Sequence, residues 1–134
     1  MEPEEYTYLE MEQLMASDLT RQKIEQSIKD RKKLHRTFVD NIKTFKPLLE
    51  LEAKAFKDGA LDKKTKELMA LAISIVTKCE PCMEWHLDQA LQAGATDKEV
   101  FETIDVTIEM GGGQAAAYAR FVLKALEHFK KDGR

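Results

Sequence analysis

The chain has 134 residues, 43% of them apolar and 34% charged, with three prolines and six glycines. That mix describes one folded domain with a heavily charged exterior, and it excludes low-complexity disorder. A net charge of −3 gives the chain as a whole no pull toward nucleic acid. The longest uncharged apolar run, residues 68–77, falls far short of the ~20 residues of a spanning helix, and the acidic start lacks the apolar stretch of a secretory leader. The expectation is a cytoplasmic protein with no membrane or nucleic-acid partner.

Helical periodicity runs through the chain, and no segment alternates long enough to predict a strand. Residues 1–16 are expected to be a partly ordered segment, with Tyr6, Tyr8, Leu9, Leu14 and Met15 able to dock on a neighbour. The folded domain is expected over 17–134. Ser17 is a candidate cap for a helix over about 18–32 carrying Leu19, Ile24 and Ile28. A second helix over about 34–45 places Leu34, Phe38, Ile42 and Phe45 at spacings of three and four. Lys29, Arg31, Lys32, Lys33, Arg36 and Lys43 give this region a basic, solvated face. Pro47 suits the first turn of the next helix, and Gly59 its end. Asp62 caps a helix over about 63–77 whose segment 68–76 is apolar nearly all round. Such a helix is either central or covered by another subunit. Pro81 opens a helix over about 80–93 that Gly94 ends. Thr96-Asp97-Lys98-Glu99 is a capping box for a helix over about 97–110. Gly111-Gly112-Gly113 then breaks the chain, and a last helix over about 114–130 follows, with a small-residue end suited to close approach. The fold class is all-α, with six to seven helices.

The chemistry concentrates in Cys79-Glu80-Pro81-Cys82-Met83-Glu84-Trp85-His86, which holds both cysteines of the chain. Cys79, Cys82 and His86 stand at i, i+3 and i+7, so a helix starting near Cys79 brings them to one face. There a disulfide can close, the helix N-terminus favours a thiolate, and His86 lies one turn from Cys82 to take its proton. His86 therefore activates Cys82, expected to form the sulfenic acid, while Cys79 resolves it to the disulfide. Two other readings remain. A structural zinc needs four ligands, and Cys79, Cys82 and His86 supply three, leaving Glu67, His35, His128 or a partner chain for the fourth. The pair could also be inert.

From about 59 to 129 the chain resembles the carboxymuconolactone decarboxylase / alkylhydroperoxidase D superfamily in its short single-domain form. The matching residues are Gly-Ala-Leu-Asp-Lys-Lys-Thr-Lys-Glu-Leu at 59–68, the apolar helix, Cys79-x-x-Cys82-x-x-x-His86, Ala93-Gly94-Ala95-Thr96 with Glu99, and Met110-Gly111-Gly112-Gly113. The resemblance implies an all-α homo-oligomer, trimer or hexamer. It also implies thiol-dependent reduction of organic hydroperoxides or of a partner's disulfide, with an external dithiol as reductant and no cofactor or metal. It assigns Cys79 and Cys82 as the redox pair, His86 as proton relay, and Glu67, twelve residues before Cys79, as the relay's far member. An unbroken helix from 67 to 79 spans ~18 Å, so Glu67 can act only through His86, if the 80–93 helix folds back, and through a water. Where some members carry a histidine before the second cysteine this chain has Pro81, which implies slower turnover with peroxide. Where many carry proline after the glycines it has Gln114. The cysteine pair argues against lactone decarboxylation. A non-enzymatic redox sensor or assembly protein, or a metal-binding module, is the alternative function.

Overall fold

The computed structural model describes residues 6–133, except for the side chains of 15–18. Five helical elements make up the architecture: α1 (Tyr8–Asn41), α2 (Phe45–Ala55), α3 (Lys63–Val76), α4 (Glu80–Gln92) and α5 (Asp97–Lys131). The described residues contain no strand.

One of the expected helix boundaries does not exist. The separate helices anticipated over 18–32 and 34–45 are one helix that starts at Tyr8. Its start is a capping box in which the Thr7 side chain accepts from Glu10 N–H and the Glu10 carboxylate accepts from Thr7 N–H. This satisfies the orphan donors of the first turn ten residues upstream of Ser17. The capping role expected of the Ser17 side chain lies outside the described residues, but its backbone is already helical. The break expected at the three glycines is present as a kink within α5, where two helical segments meet. Only Gly112 leaves the helical region, at φ 67° and ψ −153°, a conformation open to glycine alone.

The remaining boundaries follow local chemistry. Asp62 caps α3 by accepting from Thr65 N–H at 2.8 Å, and Thr96 and Glu99 form the capping box of α5. Gly94, at φ 96°, closes α4. Between α3 and α4 the chain reverses over Thr77 and Lys78. Lys78 takes φ 61°, and its N–H and that of Cys79 donate to Ile75 and Ser74 carbonyls. That left-handed residue usually is glycine and costs a lysine about 1–2 kcal/mol.

The turn folds α4 back along α3, and α5 closes over both. The core is Leu71 and Ile75 from α3, Met83, Leu87 and Ala90 from α4, and Val100, Ile104, Val122, Ala125, Leu126 and Phe129 from α5. Ile24 from the middle of α1 joins it. Ala115 and Ala119 are buried, so the small-residue stretch of α5 does approach its neighbours closely. The near-uniform apolarity of α3 is not consumed inside the chain, because Met69, Ile73 and Val76 point outward and Ile73 is 58% exposed. Val106 and Met110 of α5 are exposed too, and Gly111 lies against Val76. Helix α2 has no buried residue.

Candidate redox site

Cys79 is the N-cap of α4 and Pro81 sits in its first turn, where a missing N–H costs nothing. The two cysteines are joined as a disulfide with Cα atoms 5.2 Å apart, and both are partly buried. The N–H of Cys82 donates to Cys79 Sγ at 3.3 Å. The backbone donor of the helix terminus therefore serves the sulfur of Cys79, whereas sequence spacing alone associates the favoured thiolate with Cys82.

One turn on, His86 projects toward α3, and its Nδ1 lies 2.8 Å from Glu67 Oε2. The contact is direct, where the separation along the chain suggested a bridging water. The antiparallel return of α4 brings His86, seven positions after Cys79, level with Glu67, twelve positions before it. A carboxylate only accepts, so Nδ1 carries the hydrogen and Nε2 is left as the basic nitrogen. Glu67 is 2% exposed. Its second oxygen, Oε1, accepts from Lys63 Nζ at 3.1 Å, and Lys63 also donates to Gln89 Oε1 at 3.3 Å. Phe56, at the end of α2, stacks on the His86 ring with centroids 5.4 Å apart. An open cleft of about 460 Å³ between α2, α3 and α4 reaches Glu67 and is lined by Phe56, Glu52, Lys63 and Gln89 among others.

Sequence reasoning assigned no role to Lys63, Gln89, Phe56 or Glu52. Lys63 lies within the 59–68 stretch but was given no function, and the other three carry no motif. Nor did it find the ties behind the site. Trp85 Nε1 donates to Glu52 Oε1 at 2.9 Å, and the Arg31 guanidinium lies 4.7 Å over the Trp85 ring. Arg31 also bonds the carboxylate of Glu84, which is 1% exposed and accepts from Ser27 Oγ at 3.3 Å. Burial pushes the Glu84 carboxyl above the usual carboxylate range, and Arg31 opposes that shift. Helices α1, α2 and α4 are thus linked through Arg31, Trp85 and Glu52.

The other two histidines lie elsewhere. His35 packs edge-on to Phe45, and His128 faces Glu25 and Asp132. Among the described residues no group of three or more His, Cys, Asp or Glu side chains is arranged to hold a metal ion. Among the described residues no helix is long and apolar enough to cross a membrane.

A helix-capping cysteine pair thus stands beside a buried Glu67–His86 pair in an all-helical fold. The Carboxymuconolactone decarboxylase family profile matches residues 43–125, and the chain belongs to that family. Protein 4 of the cox locus of Paracoccus denitrificans is 44% identical over 79 residues, 59% of this chain and 71% of that protein. A Cupriavidus necator protein is 41% identical over 75 residues, 56% of this chain and 64% of that one. Among solved structures, Thermotoga maritima TM1620 superposes with a TM-score of 0.74 at 30% identity, covering 81% of this chain and 96% of that one. A second structure of TM1620 is described as that of a family protein with a suggested part in antioxidative response. Legionella pneumophila apo-lpg0406, also of the family, matches with a TM-score of 0.61 at 35% identity, covering 84% and 95%.

Proposed function

We propose that the protein is a thiol-dependent peroxidase and disulfide oxidoreductase acting on organic hydroperoxides in the cytoplasm. The observation that carries the reading is the Cys79–Cys82 disulfide at the start of α4 with the Glu67–His86 pair one turn further on. In the reduced protein, His86 Nε2 takes the proton of Cys82, and the thiolate attacks the terminal oxygen of ROOH. An S–O bond forms, the O–O bond breaks, and the leaving alkoxide takes a proton from His86 to become ROH. Cys79, whose sulfur faces the Cys82 N–H, then displaces the sulfenate oxygen as water and closes the disulfide. An external dithiol returns two electrons and two protons by exchange. The imidazole one turn after Cys82 supports this order, and the Cys82 N–H facing Cys79 Sγ favours a thiolate on the resolving cysteine.

The exposed apolar side chains of α3 and α5 support a homo-oligomer in which a second copy covers Met69, Ile73, Val76 and Met110. Redox sensing without turnover uses the same pair and is separated by the same experiment. Stopped-flow consumption of cumene hydroperoxide by the reduced protein tests the reading. Cys82→Ser is expected to abolish consumption. Cys79→Ser is expected to allow one equivalent and leave Cys82 heavier by one oxygen in the intact mass. Retention of wild-type turnover by Cys82→Ser would refute the assignment, and retention by both variants would refute the enzyme class.

A further inference from the structure

Lys63 takes no part in the exchange chemistry, yet its ammonium grips the buried end of the relay. It is the first residue of α3, where the helix dipole disfavours a cation. The first turn holds Lys63, Lys64 and Lys66 and no acidic residue. Two of the three lysines have other occupations: Lys64 pairs with Glu99 at 2.9 Å, and Lys66 donates to the Lys57 carbonyl at 2.6 Å. Lys63 alone of the three is aimed at Glu67. A residue placed against local preference and onto a buried carboxylate marks a position held for something other than helix stability.

The geometry divides the carboxylate. Oε1 belongs to Lys63 at 3.1 Å and Oε2 to His86 at 2.8 Å. Glu67 is bonded by Lys63 on its own helix and His86 on α4, and it shares a cleft with Gln89, Glu52, Lys57 and Asp58. With Lys63 removed, Oε1 loses the ammonium bonded to it among the described residues. The carboxylate can then turn about its terminal bond, and His86 loses the fixed acceptor that sets its tautomer.

We infer that Lys63 is a positioning residue of this site: its ammonium pins Glu67 so that Oε2 holds the Nδ1–H of His86 and leaves Nε2 basic for Cys82. The inference rests on the thiol reading for its consequence, while its structural content stands by itself. The test uses the full chain in the reduced state, as wild type, Lys63→Met, Lys63→Arg, Glu67→Gln and the Lys63→Met/Glu67→Gln double variant. Two quantities are read: the nitrogen-15 shifts of the His86 ring, which report the tautomer, and the rate of iodoacetamide alkylation of the dithiol. The wild type is expected to show the Nδ1–H tautomer alone. Lys63→Met is expected to show a tautomer mixture and about tenfold slower alkylation, the size typical of losing a group that orients a histidine. Lys63→Arg is expected to restore both to within about twofold, and Lys63→Met to add nothing to Glu67→Gln. A wild-type tautomer and rate in Lys63→Met would overturn the inference. So would an equal slowing by Lys63→Met with Glu67 present or replaced. Absence of peroxide consumption by the wild type would overturn the peroxidase reading and leave Lys63 to be judged on the tautomer.

Discussion

Replacing Arg31 with methionine leaves Glu84 as a buried carboxylate without its cation. Glu84 is 1% exposed; among the described residues its Oε2 has no hydrogen-bond partner, and Ser27 Oγ at 3.3 Å is the other donor to Oε1. Breaking a buried ion pair from one side costs about 3–5 kcal/mol, and Arg31 is 28% exposed, so the lower end, about 3 kcal/mol, is expected. For a domain of this length that is a fall in Tm of about 10 °C. The loss of the guanidinium over Trp85 contributes about 0.5–1 kcal/mol of it. The double variant Arg31→Met/Glu84→Leu also loses the Trp85 contact but buries no charge. It should recover to within about 1 kcal/mol of wild type.

The pH dependence has a definite sign. Burial raises the folded-state value of Glu84 above its unfolded value. Its proton is held more tightly in the folded protein, so the associated stability is fully present below the unfolded value and is lost as pH rises through the folded one. Removing Arg31 takes away a cause that lowers that value, and so extends the window upward. The deficit of Arg31→Met should therefore be smaller at pH 5 than at pH 7. Urea unfolding at fixed protein concentration and both pH values measures it. A deficit under about 1 kcal/mol at pH 7 refutes the reasoning, as does a double variant no more stable than the single one.

Glu67→Gln keeps the shape of the relay and removes its charge; peroxide consumption should fall about a hundredfold, the lower end for a positioned acid–base group, and a change within twofold would exclude the relay. Alanine at each of the three glycines should separate their roles in thermal unfolding. At Gly112 it meets φ 67° and should cost about 1–3 kcal/mol. At Gly111 its Cβ would stand 2.8 Å from Ala115 Cβ and 3.3 Å from a Val76 methyl; at Gly113 it meets nothing within 4 Å and should be neutral or slightly stabilising. Ile73→Glu should shift the protein to a smaller species in light scattering while leaving its far-UV spectrum unchanged. An unaltered mass would refute the proposed subunit contact on this face.

Much of the site was legible because its signals are local. A CxxC with histidine at +4 states its own geometry once a helix starts at the first cysteine, and Asp62, Gly94 and Thr96-x-x-Glu99 announce their caps by residue type. The first helix was misjudged for a local reason as well. Its start is Thr7-Glu10, a capping box amid acidic residues, and Ser17 offered a competing cap ten residues later. The reversal at Lys78 was invisible because a lysine holds the left-handed position that glycine usually marks. The three glycines announced their break: Gly112 leaves the helical region and kinks α5 at that point.

By itself the sequence determined the all-helical class, the cysteine pair and its histidine, since these depend on periodicity and on neighbours within two turns. Only the tertiary structure decided that Glu67 touches His86 without a water, that Lys63 takes the other oxygen, and that the outer face of α3 is left uncovered. Those facts depend on the angle at which α4 returns along α3. That angle is set by a strained turn at Lys78 and by the core formed with α5, and neither is written in the spacing of the residues that meet.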